Sequence, residues 1–255
     1  MSSETGPALR VLVVGESWIK HTVHLKGFDQ FHTTEYEEGA SAYLTALTDA
    51  GYAVDYIRAH EISQRFPTRR EQLDVFDVVI LSDIGSNSFL LCDETFLRSE
   101  VTVNRLALLR DYVRDGGGLL MVGGYMSFSG IDGRARYQMT PLAEVLPVTM
   151  LDFDDRIERP EGALAQLAVP DHAALGGTPS DWPCVLGYNR LRAKPGATVI
   201  AACDDDPLLV VQDVGNGRSV AFASDVAPHW APPQFMAWPH YNKLFASIVR
   251  WAAGR

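Results

Sequence analysis

Leu119-Leu120-Met121-Val122-Gly123-Gly124-Tyr125-Met126-Ser127-Phe128 reads as a buried strand that runs into a sharp turn. Four consecutive apolar residues suit a strand covered on both faces, and the paired glycines permit the backbone angles of a tight exit. Just upstream, residues 104–115 carry Leu106, Leu109 and Val113 at intervals of three and four, the spacing of one helix face, and Gly116-Gly117-Gly118 stops them. Helix, glycine stop, apolar strand and glycine turn form the repeating unit of a parallel α/β sheet.

Working outward, the first half of the chain repeats that unit. Residues 10–14 are a Val-rich run ending at Gly15, and residues 39–50 read as a helix with Leu44 and Leu47 on one face and Gly51 at its C-terminal end. Residues 53–57 and 77–81 are two further strands. Right-handed crossovers then bring the C-terminal ends of all these strands to one edge of the sheet. The second half has a different texture. Residues 148–151, 163–169, 199–203, 208–212 and 219–223 read as strands with little helix between them, and Gly215-Asn216-Gly217 marks a hairpin turn. Residues 241–253 form a closing amphipathic helix. No repeat, low-complexity tract or linker interrupts the chain, so one α/β domain over residues 1–255 is expected, with a β-rich C-terminal elaboration.

Composition excludes several functional classes. Hydrophobic residues make up 47% of the 255 positions, too many for a disordered chain. No segment reaches the roughly 18 uninterrupted apolar residues of a membrane span. The stretch Met1 to Leu9 is short and polar and lacks the pattern of a signal peptide, so a cytoplasmic protein is expected. A net charge of −10 with scattered basic residues argues against a nucleic-acid surface. Cys92, Cys184 and Cys203 are odd in number and widely spaced, which fits reduced, core-packed thiols better than disulfides or a metal motif.

Ligands of an open parallel sheet bind beyond the strand C-termini. The residues just past each strand are therefore informative: Gly15-Glu16-Ser17-Trp18, then Ser82-Asp83-Ile84-Gly85-Ser86-Asn87, then Gly123-Gly124-Tyr125-Met126-Ser127, and late in the chain Ser224-Asp225 and Pro228-His229-Trp230. Polar, titratable and aromatic groups collect at one edge.

These strings, together with Tyr36-Glu37-Glu38-Gly39, resemble the class I glutamine amidotransferase-like superfamily over nearly the whole chain. The likeness is above all to the glutamine-amidotransferase-like cytoplasmic proteins of bacteria, and more distantly to trehalose-utilisation-type proteins. The resemblance implies a flavodoxin-like three-layer sandwich with a mostly parallel central sheet. It also implies a catalytic cysteine in a G-x-C-x-G turn, where backbone N–H groups stabilise the oxyanion. This chain departs from that pattern. Tyr125 stands at the position of the sulfur, and His229-Trp230-Ala231 keeps the histidine of a His-x-Glu pair without its carboxylate. Hydrolysis of glutamine by the usual Cys-His-Glu triad is not expected.

The remaining candidates each have two readings. Ser127 is either a nucleophile, with His229 as base and Asp83 or Asp225 orienting it, or the cap of a helix after the turn. Tyr125 is either an acid–base group or a packing residue. His21 and His24 share a face if their segment is helical, where they would ligate a divalent metal such as zinc with Glu16, Glu38, Asp83 or His229; otherwise they are solvated. Glu37 and Glu38 read as the approach to a helix N-terminus. Asp83, Ser86 and Asn87 either contact ligand or tie their turn together. Trp18, Glu38, Gly124 and Trp230 are further ligand-binding candidates, with Trp230, Trp238 and Tyr241 alternatively packing the last helix or a subunit contact. Asp152, Asp154 and Asp155 lack the glycine and final glutamate of a calcium loop and read as an exposed acidic turn.

The expectation is a small-molecule enzyme, a hydrolase or transferase acting on an amide, lactone or sugar derivative. Glu16, Asp83, Tyr125, Ser127 and His229 are its catalytic candidates. The alternatives are a non-catalytic ligand-binding or scaffold protein on the same fold, and a metal-dependent hydrolase. A homo-oligomer is expected.

Overall fold

A computed structural model describes residues 8–255, so the polar N-terminal stretch 1–7 lies outside the described residues. Its strands are β1 (Arg10–Gly15), β2 (Ser17–Lys26), β3 (Asp29–Glu38), β4 (Ala53–Ile57), β5 (Val78–Ser82), β6 (Gly118–Val122), β7 (Val148–Met150), β8 (Arg156–Ala163), β9 (Gln166–Leu167), β10 (Val185–Asn189), β11 (Leu191–Ala193), β12 (Thr198–Cys203), β13 (Asp206–Val214) and β14 (Gly217–Phe222). Eight of them make the central sheet in the order β4-β1-β5-β6-β14-β13-β12-β9. The first five run parallel, and β13, β12 and β9 are added antiparallel. The chain reverses direction across the sheet at β1, which puts the topological switch point between β1 and β5.

The core arises from the apolar runs. Val11 to Val14, Val78 to Leu81 and Leu119 to Val122 are buried throughout, as strands covered on both faces must be. Helices Ser41–Asp49 and Tyr241–Ala252 pack together on one face, joined by the edge-to-face contact of Phe245 with Tyr43, and Phe245 also meets Phe222 of β14 edge-on. Helix Arg105–Arg114 lies on the other face, as right-handed crossovers in opposite directions from β1 require. Asn104 caps it by accepting hydrogen bonds from the N–H groups of Leu106 and Ala107, both at 3.1 Å. The result is a three-layer flavodoxin-like sandwich with a β-rich elaboration. That elaboration includes the antiparallel pairs β8–β10 and β7–β11. The expected hairpin is present, with Gly215-Asn216 joining β13 to β14.

Several local expectations are corrected. His21 and His24 lie on β2, not on a helix, and residues three apart on a strand point to opposite faces. Glu37 and Glu38 do lead into a helix, as expected, although both still belong to β3 and the helix begins at Ser41. No helix comes directly after the turn that ends β6, so Ser127 caps none. The strand expected over 163–169 is two elements, β8 ending at Ala163 and the two-residue β9. Asp155 is buried rather than exposed, because it accepts hydrogen bonds from the backbone N–H groups of Ser129 and Gly130 and from Asn189 Nδ2. Cys92, Cys184 and Cys203 are free, the first and last of them buried.

Candidate active site

The C-terminal ends of β1, β5, β6 and β14 deliver Glu16, Asp83, Gly124-Tyr125 and Asp225 to one edge of the sheet. Glu16 and Asp225 are buried and Asp83 is half-buried. Ser82 Oγ donates to Glu16 Oε2 at 2.5 Å, while Glu16 Oε1 is buried without any hydrogen-bond partner. Burial, and then the charge of Asp83, push the Glu16 carboxyl up to about 8, against the opposing pull of Ser82. Asp225 is held well above the usual carboxylate range by burial and by the charges of Glu16 and Asp83. Asp83 is raised by burial, with the Met126 N–H and His229 opposing. Three carboxyls in one desolvated cluster cannot all ionise at neutral pH, so protons are stored here.

Strain is concentrated at the same place. Glu16 (φ +49°), Asp83 (φ +42°) and His229 (φ +106°) all occupy the left-handed half of backbone space, where a non-glycine residue costs on the order of 1–3 kcal/mol. Tyr125, at the position expected of a nucleophile, is not among these strained residues. Gly124 (φ +143°) absorbs the turn instead, and a Cβ there would lie 2.7 Å from Asp83 Oδ1.

The elbow amides are already occupied. Met126 N–H donates to Asp83 Oδ1 at 2.6 Å and Gly124 N–H to Asn189 Oδ1 at 3.0 Å. The Met126 amide comes directly after Tyr125, so it is the donor that would serve an oxyanion in a nucleophile elbow. A carboxylate fills that position here. Ser127 is buried and its Oγ accepts from the Asp83 N–H at 3.2 Å. No hydrogen bond joins Ser127 to His229 among the described residues, so the Ser127–His229 pairing is not formed.

Aromatic rings form the rim. His229, exposed, stacks on Tyr125 with ring centroids 5.6 Å apart and planes at 17°, and lies 5.4 Å from Trp18. Trp230 is buried, meets Tyr125 edge-on at 5.5 Å and donates from Nε1 to Glu158 Oε2 at 3.1 Å. The Arg156 guanidinium sits 5.0 Å from the Tyr125 ring centre. Burial and the neighbouring Glu158 raise the Tyr125 hydroxyl above its ordinary value, so it remains a hydrogen-bond donor near neutral pH. Trp18 Nε1 donates to Glu37 Oε2 at 2.9 Å. Gly39 closes the floor: a Cβ there would come within 2.8 Å of Glu16 Oε1 and 3.1 Å of the Trp18 ring.

Glu16, Trp18, Asp83, Gly124, Tyr125, His229 and Trp230 thus surround one site, with Ser127 behind Asp83. The contacts of the other candidates lie elsewhere. Glu38 pairs with Arg58 and Tyr36, and the Ser86 N–H is bonded to Ala135 O. Asn87 is exposed at the start of a short helix. His21 and His24 hydrogen-bond Thr34 and Thr33. Among the described residues, no group of three or more His, Cys, Asp and Glu side chains is arranged to hold a metal ion. Asn189 is a supporting residue with no sequence signal. Its side chain ties Gly124 to Asp155 from a strand 65 residues away. Glu158 and Arg156 are likewise silent in sequence, since an exposed-looking β-strand charge carries no local mark of its partner.

A family model described as "Putative glutamine amidotransferase" matches residues 10–253. Among solved structures, cytoplasmic protein STM3548 from Salmonella typhimurium is 45% identical with a TM-score of 0.93, the match covering 96% of this chain and 99% of that one. Cytoplasmic protein STM1381 from Salmonella typhimurium LT2 is 46% identical with a TM-score of 0.92 and the same coverage, 96% and 99%. A ThuA-like protein from Parabacteroides merdae shares the fold at 11% identity and a TM-score of 0.60, over 97% of this chain and 90% of that one. No curated protein matches the chain.

Proposed function

This chain belongs to the glutamine amidotransferase-like family, and we propose that it is a small-molecule enzyme working by general acid–base chemistry instead of a covalent thiol intermediate. The observation that carries this reading is the Glu16 carboxyl, pushed up to about 8 with Oε1 buried and unpartnered. A carboxylic acid still protonated at neutral pH is a general acid, and a raised carboxylate such as Asp83 is a correspondingly stronger base. In hydrolysis, Glu16 gives its proton to the departing oxygen or nitrogen. Asp83, beside His229, takes one from the attacking water. The rim of Trp18, Tyr125 and His229, backed by buried Trp230, offers flat apolar surface bordered by hydrogen-bonding groups, which suits a sugar derivative, lactone or amide of modest size. The compartment assigned is the cytoplasm, the one named for both Salmonella relatives.

A panel of amides, lactones and glycosides, assayed with the parent protein, Glu16→Gln and Asp83→Asn, tests this. Turnover of one panel member should fall about 100-fold or more in each variant. Undiminished turnover in Glu16→Gln would overturn the assignment. A ligand-binding protein without turnover is the second reading, favoured by the Asp83 carboxylate on the Met126 amide. Saturable binding with no product in the same panel would establish it.

A further inference from the structure

Away from the carboxyl cluster, a pocket of about 310 Å³ opens between the short helices Ile62–Arg65 and Asp93–Arg98 and the start of helix Arg105–Arg114. Ser63, Gln64, Thr68, Glu94, Thr102 and Arg105 line it, so its wall is largely hydroxyl and amide around two charged groups. Arg105 is only 3% exposed. Its terminal nitrogens donate to the carbonyls of Ile62 and Ser63 at 2.6 and 2.8 Å, and its Nε is buried with no hydrogen-bond partner.

A guanidinium taken out of water calls for an anion, because burying an unpaired charge is costly. Two neutral carbonyls satisfy donors but leave the charge unanswered. Arg105 forms no ion pair among the described residues, and it is the first residue of its helix, the end at which positive charge is disfavoured. The nearby carboxylates are engaged elsewhere: Glu94 Oε1 pairs with Arg98 at 3.1 Å, and Asp93 accepts from Gln64 Nε2 at 2.8 Å. Glu94 Oε2 is buried and lacks a hydrogen-bond partner, the Cys92 thiol beside it being a weak donor. One pocket therefore carries a cation without an anion and an acceptor without a donor.

We propose that this pocket binds a polyhydroxylated carboxylate of sugar-acid size, its carboxylate on Arg105 and one of its hydroxyls on Glu94. Charge selects the carboxylate. One unanswered guanidinium beside an ionised Glu94 suits a single negative charge, whereas a phosphate ester carries nearly two at neutral pH. The hydroxyls follow from the rest of the wall. Glu94 Oε2 can only accept, so the group facing it must donate. Ser63 Oγ accepts from the Asp93 N–H at 2.8 Å and keeps its own O–H to give, and Thr68 and Thr102 add hydroxyls that both donate and accept. The volume lies at the small end of ligand sites and leaves room beyond what acetate or inorganic phosphate would fill.

Calorimetric titration of the full-length chain with D-gluconate and D-glucuronate tests this. At least one should bind saturably at one site per chain. Sorbitol, which lacks the carboxylate, and hexanoate, which lacks the hydroxyls, should each bind about 10-fold more weakly or worse. Arg105→Gln should weaken the sugar acid by about 10-fold or more. Because Arg105 also ties down Ile62 and Ser63, Thr102→Trp supplies a second arm. At that exposed position the indole fills the pocket, and binding should vanish at the parent's melting temperature. Sugar-acid binding that survives Thr102→Trp would belong to another site, such as that of Glu16, and would overturn the proposal. So would no saturable binding of either sugar acid, hexanoate binding as tightly, or glucose-6-phosphate binding more tightly than both.

Discussion

Glu16 sets a pH dependence whose sign can be worked out. Its folded value, about 8, lies above the ordinary 4.5, so the folded state holds the proton more tightly than the unfolded one. The contribution to stability is complete below about pH 4.5 and is lost as pH rises toward about 8. Glu16→Gln keeps an acceptor for Ser82 and removes the ionisation. We expect the variant to be more stable than the parent at pH 8 by roughly 3 kcal/mol and close to it at pH 5, measured by urea unfolding at both values. Equal differences at the two pH values would contradict a protonated Glu16. Gly124 is equally specific, since at φ +143° a side chain is strained and would strike Asp83. Gly124→Ala should cost about 2 kcal/mol or more and release Asp83 from the Met126 amide.

At the scale of elements, strand β10 matters because its last residue braces the turn after β6. Asn189 donates to Gly124 O and Asp155 Oδ1 and accepts from the Gly124 N–H. Asn189→Ala would leave buried groups on two segments unpaired, and about 3 kcal/mol of lost stability is expected in denaturant titration. The parallel strands are legible in sequence because burial on both faces writes an unbroken apolar run, as in residues 10–14, 77–81 and 119–122. The arm formed by β2 and β3, which pair only with each other, is not legible. Past its root neither of its faces meets the body, so no buried period marks most of β2 or β3, and two histidines three apart suggest a helix instead. The burial of Asp155 is hidden for a related reason: its backbone donors, Ser129 and Gly130, lie 25 or more residues upstream. The site's carboxylates can be found because each comes directly after a strand; their shared burial arises only when four strands are set side by side.

For the whole molecule, Glu16, Asp83 and Asp225 act in the same direction. All three bind protons more tightly when folded, so each is a reason for stability to increase as pH falls from 8 toward 5. Glu37, Glu38 and Asp154 are held low by cationic or hydrogen-bonding partners and work oppositely in more acid solution. They are exposed or nearly so, and solvent screens them. The melting temperature of the parent should therefore be higher near pH 5.5 than at pH 8, and a profile rising steadily to pH 8 would contradict the cluster.

The carboxylate seated on the Met126 amide limits what can be rebuilt in this scaffold. Replacing Tyr125 with cysteine would restore a thiol at the elbow, yet the sulfur would arrive in a turn whose anion-binding amide is taken. Asp83 would also repel the thiolate. A retrofit to ammonia-releasing chemistry would have to vacate that amide first, through Asp83→Gly or Asp83→Ala combined with Tyr125→Cys. The double variant, not the single one, should react rapidly with iodoacetamide at neutral pH. The barrier to thiol chemistry is then an occupied seat, not merely a missing side chain.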